Sequence, residues 1–253
     1  MALDRPLGVF ALTFLALWLS ARLGRFFLER RPSQHEGEHE LLNVIMSASL
    51  TLLGLIIGFT FSMAVSRYDQ RKNYEEAEAN AIGTEYLRAD LLPPADGARV
   101  RALLKDYLDH RVSSYRSRDG QHLRQVEADT ARLEAELWSA VRQPANAQPT
   151  PMLALAVSGM NEVLDSHGRT QAAWWNRIPL AAWALMAVIA ICCSVLIGCH
   201  ARHVERNAML MLVLPFIVSI SFFLIADIDS PRGGVIRVQP QNLVSLSRSL
   251  PVH

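Results

Sequence analysis

The chain has 253 residues, 51% of them hydrophobic, with 25 lysines and arginines against 24 acids and a formal net charge of +1. That balance, with no clustered basic face, excludes nucleic-acid binding, which needs cationic surface to displace counterions from phosphate. The apolar residues gather into long runs instead of recurring at the spacing of a soluble core, which excludes an ordinary globular domain.

Taken in chain order, the first run covers about 7–27. Its unbroken apolar part ends near Leu19, and Arg22 and Arg25 follow. Arginine at a helix end snorkels to the headgroups, so the segment is read as a membrane span. A cleaved signal peptide wants a basic start and a small-x-small cleavage site, whereas Asp4 offsets Arg5 here and no such site follows. The second run, 41–65, carries no charge. Crossing about 30 Å of hydrocarbon takes roughly 20 helical residues, so this run is long enough.

From Ser66 no helix breaker appears before Pro93 and Pro94 apart from Gly83. The second span is therefore expected to continue as one long helix of about 75 Å at 1.5 Å per residue. Val100, Leu103, Leu104, Tyr107, Leu108, Val112 and Tyr115 recur at helical spacing, as do Leu123, Val126, Leu133, Leu137 and Val141. The stretch Pro144 to Pro151 reads as a linker, after which Met152, Leu155, Met160, Val163 and Leu164 mark a further helix. Residues 66–177 are thus expected to form an extramembrane antiparallel helical bundle, giving an all-α, four-span membrane protein. Trp174 and Trp175 fall where that last helix should meet the headgroups, a position that suits indole rings as interfacial anchors.

The third and fourth spans are 178–199 and 208–226, both uncharged. All three cysteines, Cys192, Cys193 and Cys199, lie in the third span, so no disulfide can staple the bundle. Beyond the fourth span, Asp227 and Asp229 precede Pro231, Gly233 and Gly234. Such an acidic pair either attracts cations or is neutralised by an arginine such as Arg232, and pairing is the commoner use. Val235 to Val238 then suit a short extended piece, and Leu243, Leu246 and Leu250 a small helix in an interfacial tail over 230–253. An even number of spans places both termini and the bundle on one side. Arg22, Arg25, Arg30 and Arg31, with Arg202 and Arg206, load the short loops, so the positive-inside rule sets the bundle in the periplasm. Arg67, Arg71 and Lys72, just past the second span, oppose that count.

Two patterns invite chemistry. His35, Glu36, Gly37, Glu38 and His39 fit H-E-x-x-H, which in a zinc peptidase puts two imidazoles on one helical turn. Here the motif follows Pro32 in a short charged loop and has a glycine in its middle, so an enzyme is not expected. His200 and His203 lie in the other short loop, on the same membrane face, and with His35 and His39 form a weak metal or proton-sensing candidate; no cofactor is expected. The second pattern is in the second span, where Ser47, Thr51, Gly54, Gly58 and Ser62 set small or hydroxylated residues along one side of the helix. Small residues let helices approach closely. In a symmetric oligomer the same strip would line a pore.

Two stretches carry a family resemblance. Leu53 to Pro93, LGLIIGFTFSMAVSRYDQRKNYEEAEANAIGTEYLRADLLP, and Asp227 to Val238, DIDSPRGGVIRV, resemble the bestrophin-like family of bacterial membrane proteins, whose function is uncharacterised. With its order of spans the resemblance covers most of the chain. It implies a relation to the bestrophin anion channels, which are pentamers, although their calcium-binding acidic cluster has no counterpart here. Pro240, Gln241, Asn242 and Leu243 replace the Gln-Pro-Leu order of the family tail. The expected function is accordingly a homo-oligomeric channel or pore in a bacterial inner membrane, in contact with lipid. The alternatives are a non-conducting scaffold or sensor whose bundle binds a protein partner and, remotely, a metal-binding protein or metallopeptidase.

Overall fold

The structure is a computed structural model and describes residues 5–29, 36–200 and 210–251. Eight α-helices follow one another among these residues. They are α1 (Pro6–Glu29), α2 (Glu36–Arg88), α3 (Pro94–Arg116), α4 (Gly120–Ala147), α5 (Pro151–Trp175), α6 (Leu180–His200), α7 (Leu210–Asp229) and α8 (Gln241–Ser249). No strand occurs among the described residues. The chain divides into two compact units, Met1–Arg67 with Arg177–Arg237 and Tyr68–Asn176 with Val238–His253, and α2 contributes to both.

The first unit holds α1, the apolar half of α2, α6 and α7. Among the described residues four helical stretches, Pro6–Phe26, Glu40–Leu91, Pro151–Cys199 and Met211–Asp229, are long and apolar enough to cross a bilayer, and each overlaps one of the runs read from the sequence. α1 packs on both α6 and α7. Lipid tails are as apolar as leucine, so hydrophobic burial does not hold these helices together; close backbone approach does. A Cβ added at Gly24 would strike the Val195 backbone, and one at Gly198 would strike the backbone of Ala21. Phe10 meets Phe216 edge-on at 6.1 Å, and Trp183 meets Phe222 at 6.0 Å.

The second unit is the bundle. Its core unites Ile82 of α2, Leu104, Tyr107 and Leu108 of α3, Leu137 of α4 and Met160 of α5, all fully buried. Each such aliphatic or aromatic side chain contributes about 1.5–3 kcal/mol on leaving water. The joins follow local chemistry. α2 gives way at Arg88 to a 3-10 turn, Ala89–Leu91, ahead of the Pro93–Pro94 pair, and Pro94 opens α3 at a position where its missing N–H costs nothing. The Asp119 carboxylate caps α4 by accepting from the Gln121 and His122 amides, which holds its carboxyl below the usual range. The Thr150 hydroxyl does the same for α5, accepting from Leu153 at 3.2 Å.

The expectations for Pro144 and for the segment after α7 are corrected here. Pro144 is not in a linker: it lies inside α4, which runs to Ala147, and only residues 148–150 join α4 to α5. The proline forfeits its own backbone hydrogen bond near the helix end, and its carbonyl still accepts from the Gln148 amide at 3.0 Å. The terminal helix forms as read, and its apolar side turns to the bundle. Leu243 of α8 is fully buried in the bundle core, and Leu246 packs against it. The segment between α7 and α8 is a run of turns and bends over 231–236, not an extended piece.

Candidate functional site

The apolar half of α2 presents three faces. Leu53, Thr60 and Ala64 are buried. At about 100° per residue, Ser47, Thr51, Gly54, Gly58 and Ser62 lie roughly 100–180° round the helix from Leu53. All five are exposed, and a Cβ built on Gly54 or Gly58 would meet no atom within 4 Å. The remaining side carries Leu41, Ile45, Leu52 and Phe59, between 43% and 65% exposed, a surface suited to acyl chains. Among the described residues the close helix approach falls instead at Gly24 and Gly198. The Thr51 hydroxyl donates to the Ser47 carbonyl at 2.9 Å, which satisfies its proton and leaves an oxygen lone pair on the free face.

Asp227 and Asp229 are buried, and backbone amides meet their carboxylates. Asp227 accepts from Val235 at 2.8 Å and Ile236 at 2.7 Å, and Asp229 accepts from Ile178 at 3.2 and 3.3 Å. Asp227 thus folds the turn after α7 back on itself, while Asp229 ties the residues ahead of α6 to the end of α7. Gly234 is obligatory in this turn because a Cβ there would strike the Asp227 carbonyl. Both carboxylates thus organise the backbone at the end of α7. The two tryptophans part company: Trp174 stacks edge-on to Tyr115 at 5.0 Å and packs on the bundle core, whereas Trp175 is 74% exposed at the end of α5. Only Trp175 keeps a geometry that suits a headgroup anchor. His35 and His203 lie outside the described residues, as do the side chains of His39 and His200. Among the described residues no cluster of three or more His, Cys, Asp or Glu is placed to hold a metal.

A buried polar network went unread in the sequence. Glu75, Glu78 and Glu85 share with Ile82 one face of α2, at steps of three, four and three, and all are buried. Glu75 accepts from the Asn242 and Leu243 amides at 2.9 and 3.0 Å and from Asn242 Nδ2 at 2.7 Å, so a side chain of α2 caps α8. Glu78 pairs with Arg111 of α3 and accepts from the Tyr115 hydroxyl at 3.3 Å and from Thr170 of α5 at 3.2 Å. Burial opposes the charge on Arg111, and the Glu78 carboxylate more than offsets it, so the guanidinium holds its proton tightly. Burial together with the Glu78 charge pushes the Tyr115 phenol well up, leaving it a donor at any ordinary pH. Farther along the bundle, His167 Nδ1 lies 2.6 Å from Glu134 Oε1, which also receives the Tyr107 hydroxyl at 3.4 Å. The signal available in the sequence was the spacing of the acids on α2, which puts carboxylates on the face that the core requires.

A profile of the Bestrophin-like domain matches residues 8–243, from α1 into α8. The chain belongs to the bestrophin-like family. The same relation appears in solved structures. A bacterial bestrophin homologue from Klebsiella pneumoniae is 16% identical, with 95% of this chain and 99% of that chain covered and a TM-score of 0.62. A singly substituted form of that homologue is 13% identical, with 96% and 98% covered and a TM-score of 0.66. A structure described as a membrane protein is 15% identical, with 95% and 99% covered and a TM-score of 0.64. Identities this low show a shared fold, which for the bestrophin-like chain means the whole succession of helices. No curated protein matches it in sequence.

Proposed function

We propose that the protein is a homo-oligomeric ion channel of the bacterial inner membrane, with the Ser47, Thr51, Gly54, Gly58 and Ser62 strip of α2 facing a shared axis. One observation carries the reading. The strip sets five small or hydroxylated residues on one exposed side of the span, and none of the described residues meets a Cβ built on Gly54 or Gly58. A lipid-facing helix has no use for such a surface beside a second, bulky apolar face, whereas a lumen does. Membership of the bestrophin-like family, with the relation to anion channels that the family's name implies, supports the same conclusion, and the proposal gives the protein no catalytic role. In planar bilayers Gly58→Leu and Thr51→Leu are expected to lower unitary conductance on the order of tenfold, because apolar bulk at a constriction gates by dewetting. A silent, strictly monomeric wild-type preparation would overturn it.

A non-conducting scaffold is the second reading. It is favoured by the apolar groove that Trp138, Pro149, Leu153 and Val157 form along α4 and α5. The arginines of the short loops support a periplasmic bundle. With the natural cysteines replaced, Ser158→Cys should then react with a membrane-impermeant maleimide in intact cells. Reaction only after lysis would reverse the orientation.

A further inference from the structure

The three buried acids of α2 are not treated alike. Glu75 and Glu78 have every carboxylate oxygen engaged by a donor from another helix. Glu85, two turns farther along the same face, is fully buried, yet neither of its oxygens has a hydrogen-bond partner among the described residues. A carboxylate in that state is costly, and the usual resolution is for the group to take up a proton.

The surroundings explain why no partner has been supplied. Across from Glu85, α5 presents Gly159, flanked by the buried Ala156, Met160 and Val163. A Cβ on Gly159 would strike both Glu85 Oε2 and Arg88 Nη1, so the two side chains of α2 lie directly on the α5 backbone. Arg88 is the charged group that acts on Glu85, and α5 offers no titratable side chain on its buried face there. A neutral carboxyl fits this close-packed contact, while an ionised one draws in water or moves out toward it.

We propose that Glu85 is a proton-operated switch in the contact between α2 and α5, holding the helices together when its carboxyl is neutral and loosening them when it ionises. Burial raises the group from the ordinary 4.5 to about 8, and Arg88 pulls it back only in part. The sign follows from which state binds the proton. Below the unfolded value both states are protonated and nothing is lost; as pH rises through 4.5 toward 8 the unfolded chain releases its proton and the folded chain keeps it, so stability falls. Above the folded value the loss is complete and the native contact carries a bare charge.

The full-length protein in detergent tests this by three readouts. Infrared spectra should show a protonated carboxyl band at neutral pH that fades through about pH 8 and is missing from Glu85→Gln. The Tm of the wild type should fall from about pH 6 to about pH 9 more steeply than that of Glu85→Gln, which keeps the shape and removes the titration. Spin labels on Thr84→Cys and Ser158→Cys, with the natural cysteines replaced, should move apart over the same range only while Glu85 is present. A wild type with no protonated band at neutral pH, a Glu85→Gln variant that keeps the wild-type slope, or an interlabel distance indifferent to pH would each overturn the proposal. Should Glu85→Gln fail to fold, the distance in the otherwise wild-type chain decides alone.

Discussion

Glu78→Ala is expected to lower the stability of the bundle by about 3–5 kcal/mol, the cost of leaving a buried charge without its counter-ion. Arg111, 3% exposed, would keep its charge with its Glu78 counter-ion gone, and the ring of Tyr115 at 5.8 Å is no substitute for a carboxylate. The Tyr115 and Thr170 hydroxyls would lose an acceptor in the same step. α2, α3 and α5 all supply groups to this one carboxylate, so its removal is felt by three helices. Denaturant unfolding of the purified protein, followed by loss of helical signal, measures the change. The companion variants sharpen the result. Arg111→Leu alone should also be strongly destabilising, whereas Glu78→Ala with Arg111→Leu should recover much of the loss, because a matched apolar pair carries no desolvation penalty. A single-variant loss below about 1 kcal/mol would mean that the pair is solvated and the network is not holding the bundle.

What the sequence disclosed and what it concealed have separate physical causes. The spans were legible because a bilayer imposes a length and a polarity on every segment that crosses it, so 41–65 and 178–199 announce themselves without any knowledge of neighbours. The strip on α2 was legible as a pattern, but its use was not. Whether Gly54 and Gly58 meet a neighbouring helix depends on where that helix is, and the structure leaves both in open space. Conversely Gly24 and Gly198 gave no pattern, being single small residues on different helices, and they prove to be the close contact. The bundle acids were hidden for another reason. A glutamate in a charged stretch such as Glu75 to Glu78 reads as solvated surface, and only the third dimension supplies the Arg111 guanidinium and the α8 amides that make burial affordable. The α8 leucines were read with the correct period, yet an amphipathic helix shows only that one face is covered, and the cover turned out to be the bundle.

Gly24, Gly198, Gly54 and Gly58 also supply the second large prediction, because the structure assigns the two pairs opposite responses to the same change. Gly24→Leu and Gly198→Leu should each drive α1 and α6 apart, since the added Cβ alone would meet the partner backbone at Val195 or Ala21 and no rotamer relieves a backbone contact. A loss of about 2–4 kcal/mol is expected, near the upper end for overpacking, and Tm measured in detergent should fall accordingly. Alanine at either position should already cost a large part of it. Gly54→Ala and Gly58→Ala behave differently in the isolated chain, where nothing lies within 4 Å: there alanine should stabilise α2 slightly through its better helix propensity, by a few tenths to about 1 kcal/mol. In the assembled protein the outcome separates the two uses of the strip. A water-filled axis leaves room for a methyl group, so the slight gain persists and only conductance changes. A tightly packed helix of a neighbouring copy does not, so Gly58→Ala would then weaken the oligomer as Gly198→Ala weakens the protomer, and the strip would be a seam between subunits and not the wall of a pore.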